Sequence, residues 1–86
     1  MAVITIRYWA AAKEAAGVPE ETVHADTLGE ALSRVLAGRE PDGRLATVLA
    51  RSSFLVNADP VGRTPKESIA LDDGAVIEVL PPFAGG

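Results

Sequence analysis

Ile4, Ile6 and Tyr8 alternate with Thr5 and Arg7 along the first eight residues, the two-residue period of a strand with one buried face. Trp9 falls on the Thr5/Arg7 side, the side that faces water. Ala10–Ala16 is alanine-rich and reads as a short helix, which Gly17 ends and Pro19 keeps from resuming. Glu20–Ala25, carrying Thr22-Val23-His24, reads as a second strand. Thr27-Leu28-Gly29-Glu30 has capping-box spacing, with Asp26 as a competing cap. Behind it Leu28, Ala31, Leu32, Val35 and Leu36 recur at helical spacing, the strongest periodicity in the chain, up to Gly38. After a turn at Glu40–Gly43, Leu45, Val48 and Leu49 predict a further short helix before Ser52. Phe54-Leu55-Val56 predicts a strand turned by Asn57-Ala58-Asp59-Pro60, and Val61-Gly62-Arg63 a minor edge strand before Pro65. Asp72-Asp73-Gly74 turns the chain into a last strand, Ala75–Leu80.

Strands grouped around one well-formed helix argue for an α+β fold: a mixed sheet of four to five strands, covered by helices on one face and open on the other. On the last strand Ile77 and Val79 would join Ile4, Ile6 and Tyr8 in the core. Leu80 and Trp9 would then both point to the open face, a candidate partner-binding spot beside the end of the sheet.

Composition narrows the function more by exclusion than by suggestion. Eighty-six residues make one domain with one modest core. At 48% hydrophobic and 23% charged residues the chain is ordinary for a folded protein, which argues against disorder. Without cysteine there is no thiolate nucleophile, and the single histidine, His24, excludes a multi-histidine metal site. A net charge of −4 with no basic run argues against nucleic-acid binding. Neither a secretory leader nor an apolar stretch long enough for a bilayer is visible, so a cytoplasmic protein away from membranes is expected.

Internal catalytic sites are poorly supported. His24 lacks a partner at catalytic spacing, and Ser52-Ser53 lacks the Gly-x-Ser-x-Gly elbow. Asp72-Asp73 reads as turn chemistry, Lys13 and Glu14 as a solvated pair, and the glycines are too scattered to cradle a phosphate. No cofactor or metal site is expected on this chain.

The end of the chain is different. After the last strand come Pro81, Pro82, Phe83, Ala84, Gly85 and Gly86. Two prolines cannot donate ladder hydrogen bonds, so the sheet stops and an extended exit begins. The expected organisation is a domain over 1–80 and a flexible extended tail over 81–86. Six extended residues reach ~20 Å, enough to thread another protein's active site. Two glycines without Cβ atoms fit a narrow channel, and a carboxylate at Gly86 is a reactive handle. Attack on the α-phosphate of ATP would give an acyl-adenylate that a sulfur or amine nucleophile displaces. Such activation needs an enzyme this chain does not contain.

The ending Leu80-Pro81-Pro82-Phe83-Ala84-Gly85-Gly86 resembles the Pro-Pro-x-x-Gly-Gly ending of the MoaD/ThiS family of ubiquitin-like sulfur carriers, in particular the small subunit of molybdopterin synthase. Tyr8-Trp9-Ala10, Val56-Asn57 and the Asp73-Gly74 turn are further matches, and the resemblance covers essentially the whole chain. It implies the β-grasp fold, with the first and last strands parallel at the sheet centre. It also implies that an E1-like adenylyltransferase, using ATP and magnesium, activates Gly86, and that a sulfurtransferase persulfide converts it to a thiocarboxylate. The tail would then enter the large subunit of molybdopterin synthase, in a heterotetramer, and give sulfur to cyclic pyranopterin monophosphate. Partner contacts map by position onto Trp9, Val61 and Leu80, and tail contacts onto Pro81, Pro82, Phe83 and Ala84 through Gly85 and Gly86. Phe83 stands where a smaller valine is common. The alternatives are a carrier for thiazole or cysteine synthesis and a protein modifier joined to lysine.

Overall fold

The computed structural model describes residues 1–40 and 43–82. Pro41 and Asp42 of the expected turn, and Phe83, Ala84, Gly85 and Gly86 of the expected tail, lie outside the described residues. Among the described residues, five strands and three α-helices follow in the order β1 (Ala2–Tyr8), α1 (Ala10–Ala16), β2 (Glu20–Ala25), α2 (Leu28–Leu36), α3 (Arg44–Arg51), β3 (Ser53–Val56), β4 (Asp59–Pro60) and β5 (Val76–Leu80). A 3₁₀ turn at Lys66–Ser68 stands between β4 and β5.

The sheet order is β2-β1-β5-β3-β4. β1 and β5 run parallel, and each remaining neighbouring pair is antiparallel. The helices pack on one face, which makes this a mixed-sheet β-grasp fold, as the resemblance implied. Among the described residues no helix is long and apolar enough to cross a membrane.

Alternation decides which face is which. Ile4 and Ile6 of β1 and Ile77 and Val79 of β5 are fully buried, with Tyr8 nearly so. They meet Leu28, Ala31, Leu32 and Val35 of α2, Leu45 and Leu49 of α3, and Phe54 of β3. A fully buried aliphatic side chain contributes roughly 1.5–3 kcal/mol, so this seam between sheet and helices carries most of the stability.

The capping box at α2 forms in an altered way. Thr27 Oγ1 accepts from the Glu30 N–H at 3.1 Å, but Glu30 Oε1 reaches back to the Asp26 N–H, at 2.9 Å, instead of to that of Thr27. The two cap candidates therefore act together, and a cap of this kind is worth about 1 kcal/mol.

The hairpin after β3 differs from expectation. Its turn is only Asn57-Ala58, both left-handed with φ of 50° and 70°, the geometry of a tight hairpin turn. The edge strand is therefore Asp59–Pro60 and not Val61–Arg63. Asn57 also fastens the turn to β5: its N–H donates to the Val76 carbonyl at 2.8 Å, and its Oδ1 accepts from the Val76 N–H at 2.9 Å. Pro60 fits an outermost strand because no further strand needs its missing N–H.

Candidate functional site

The top of β5 gathers the residues of interest. Leu80, paired with Ser53 of β3, is the last ladder residue. Pro81 behind it is buried and Pro82 is exposed. Both line a shallow groove of about 200 Å³ with Ala11 of α1 and Thr47, Val48 and Arg51 of α3. The chain thus leaves the sheet between α1 and α3, on the helical side.

Trp9 sits at the β1–α1 junction with extended backbone, one residue before the helix. Its backbone N–H donates to the Val79 carbonyl at 3.3 Å, continuing the β1–β5 ladder. Its indole Nε1–H donates to Glu78 Oε1 at 3.2 Å. The side chain is 49% exposed, so the indole lies on the sheet and not beneath α1. The turn into the helix falls on Ala10, whose φ of 47° is left-handed. For a residue with a Cβ this costs roughly 1–2 kcal/mol. Such strain collects where a fold over-determines a functional position.

Register lays out the outer face. Glu20, Arg7, Glu78, Leu55 and Pro60 form one row across all five strands. Arg7 and Glu20 form an exposed ion pair at 3.5 Å. The β2–β1 half is mainly polar, with Val3 as its exposed apolar residue, while Leu80, Leu55 and Pro60 bring apolar side chains to the other half, where Trp9 adjoins Leu80. Val61 is placed differently from Trp9 and Leu80. Its N–H donates to the Phe54 carbonyl at 3.1 Å, and it packs half-buried against the core, so Pro60 is the residue this edge presents outward.

The other polar candidates are structural. Asp73 Oδ1 accepts from the Val3 N–H at 2.7 Å, and Gly74 takes the left-handed position of that turn with φ of 88°. Ser52 Oγ donates to the Val48 carbonyl at 2.7 Å, at the end of α3. His24 is exposed on β2. No three His, Asp or Glu side chains among the described residues gather as a metal site.

One cluster escaped sequence reasoning. The Tyr8 hydroxyl donates to Glu21 Oε2 at 2.7 Å, and Arg39 donates to the same oxygen at 3.1 Å. Arg39 also reaches the carbonyls of Val35 and Ala16, near the ends of α2 and α1. Burial, first, and then the hydrogen bond to Glu21 and its negative charge push the Tyr8 phenol well above its ordinary range, while Arg39 opposes the shift. These groups tie β1, β2 and two helix ends together. They lie 13 and 18 residues apart in the chain, so no local motif announces them.

The family model that matches is described as the ThiS family, and it spans residues 6–86. The chain belongs to the ThiS family. No curated protein matches it. Among solved structures it is similar to small archaeal modifier protein 1 from Methanosarcina acetivorans, at 20% identity over 100% of this chain and 98% of that one, with a TM-score of 0.77. It is similar to the complex of subunits 1 and 2 of molybdopterin-converting factor from Helicobacter pylori, at 26% identity over 98% and 99% of the two chains, TM-score 0.69. It also resembles CysO from Mycobacterium tuberculosis, at 19% identity over 93% and 99%, TM-score 0.74. These neighbours share the β-grasp fold under several different names, so with the family match they support a member of the ThiS family and do not single out the molybdopterin synthase subunit.

Proposed function

We propose that this chain is a sulfur carrier whose reactive group is the carboxylate of Gly86. The observation that carries the reading is the top of β5. A ladder strand ends in two prolines directly beside an anchored, half-exposed tryptophan, and the family match runs on through Gly86. The outer face around Trp9, Leu80 and Leu55 offers a docking surface, and the residues after Pro82 would reach into the docked enzyme.

The chemistry is supplied by partners. A carboxylate oxygen of Gly86 attacks the α-phosphate of ATP, pyrophosphate leaves, and an acyl-adenylate remains. The terminal sulfur of a persulfide attacks the acyl carbon and expels AMP, giving an acyl disulfide; a second thiolate of the sulfurtransferase then attacks the donor's sulfur, forms a disulfide with it and releases the thiocarboxylate. An E1-like adenylyltransferase with ATP and magnesium, and a sulfurtransferase, are the partners this scheme requires. The acceptor we favour is a molybdopterin synthase large subunit, in a heterotetramer. Its support is the full-length likeness to one chain of the subunit 1 and 2 complex. The second reading is a protein modifier, favoured by the likeness to small archaeal modifier protein 1, in which a lysine amine displaces AMP instead.

Reconstitution with an activating enzyme tests the scheme. The wild-type chain should support ATP–pyrophosphate exchange, while a chain lacking Gly86, or extended by one residue after it, should fold normally and support none. Unchanged exchange by either variant refutes the role of that carboxylate.

A further inference from the structure

The two edges of the sheet are protected unequally. β4 is two residues long and ends in Pro60, so it offers little for another strand to join. β2 is six residues long, pairs with β1 in unbroken register, and contains no proline, lysine or bulge. Its two acids do not guard the edge either, because Glu20 is paired with Arg7 and Glu21 with Arg39 and Tyr8.

Hydrogen-bond parity shows which backbone groups are free. The Tyr8 N–H donates to the Pro19 carbonyl, so Ile6/Glu21, Ile4/Val23 and Ala2/Ala25 are the pairs that exchange bonds within the sheet. The N–H and C=O groups of Glu20, Thr22 and His24 therefore point away from β1. All three side chains are exposed on the outer face.

We propose that two copies of this chain pair edge to edge through β2, antiparallel, with Thr22 opposite Thr22 on a two-fold axis. Glu20 of each copy then faces His24 of the other, carboxylate against imidazole on the same side of the sheet. The three residue pairs exchange two N–H···O bonds each, six in all, and every free group of β2 is used. Sliding by one residue mixes inward and outward side chains. The next two-fold registers, centred on Glu21 or on Val23, leave His24 or Glu20 unmatched and keep only four bonds. The axis stands perpendicular to the sheet. The outer faces join into one surface, and the two β5 strands end at opposite ends of a ten-stranded sheet, clear of the interface.

A strand edge buries little area, and each copy carries a charge of −4, so the dimer is weak and strengthens with salt. Sedimentation equilibrium of the intact chain should show the mass climbing from one copy toward two with concentration. Thr22→Lys places two cations on the axis and should hold the mass at one copy with unchanged circular dichroism. Thr22→Cys sets two thiols about 5.5 Å apart at Cα in a chain with no other cysteine, and oxidation should give a covalent dimer. His24→Cys places them about 14 Å apart and should not cross-link. A single-copy mass at all concentrations up to about 1 mM overturns the proposal. So does a Thr22→Lys dimer, or cross-linking of His24→Cys as efficient as that of Thr22→Cys.

Discussion

The indole N–H of Trp9 donates to the carboxylate of Glu78 at 3.2 Å, joining residues 69 positions apart on the outer face of the sheet. The contact anchors a large, half-exposed aromatic beside the strand that leads to Pro81. Ordering an exposed tryptophan before binding lowers the entropic cost of docking.

Trp9→Ala should therefore weaken binding of the acceptor enzyme by about 2 kcal/mol, roughly 30-fold, while changing stability by less than about 1 kcal/mol. Glu78→Gln keeps an acceptor for the indole and should lose much less affinity. Calorimetric titration of each variant with the acceptor, beside its thermal unfolding, separates the two effects. Equal affinity for wild type and Trp9→Ala would contradict the docking face.

Ala10 should respond to glycine unlike any other alanine of α1. Relief of its left-handed strain offsets glycine's entropy, so Ala10→Gly is expected to be neutral to about 1 kcal/mol stabilising. Ala15→Gly, in the same helix, should cost about 1 kcal/mol. Denaturant midpoints of the two variants decide the matter.

Asn57 fastens the β3–β4 turn to β5 through both its backbone and its side chain. Asn57→Ala should lose about 1–2 kcal/mol, from the missing acceptor and the strained φ together. Asn57→Asp keeps the acceptor and tolerates the left-handed backbone, so it should lose much less. Amide exchange at Val76 should quicken in the alanine variant first.

Tyr8 gives the fold an alkaline limit. Its pKa is raised on folding, so the native state holds the phenolic proton more tightly than the unfolded chain does. The stability from this linkage is complete below the unfolded value of about 10 and is lost as pH rises from there through the higher native value. Tyr8→Phe should lose about 1 kcal/mol at neutral pH, from the hydrogen bond to Glu21. It should also show a shallower decline above pH ~10. Urea midpoints against pH, for both proteins, test the sign.

Legibility followed locality. The α2 stripe from Leu28 to Leu36 was readable because five apolar side chains repeat within three turns, and Gly17 was readable because a left-handed cap needs no Cβ. The Asn57-Ala58 turn was not, since alanine at φ of 70° runs against its own preference and only the ladder around it holds it there. The 3₁₀ turn at Lys66–Ser68 is too short to have a period. Parallel pairing of β1 with β5 came from the resemblance, because alternation shows which face is buried but not which strand lies alongside. Trp9 and Leu80 could be placed on the outer face by counting along strands. Val61 could not, because its side depends on a hairpin two residues tighter than its sequence suggests. The Tyr8–Glu21–Arg39 cluster exists only once three segments have folded together.

If sulfur is carried on Gly86, intact-mass spectrometry with backbone fragmentation should find it there. The chain is incubated with an activating enzyme, ATP, magnesium and a persulfide donor, and then measured whole. The mass should rise by the exchange of one oxygen for sulfur, confined to the fragment containing Gly86. An unchanged mass under conditions where the same enzymes load another carrier, or sulfur found elsewhere in the chain, would contradict that role of Gly86.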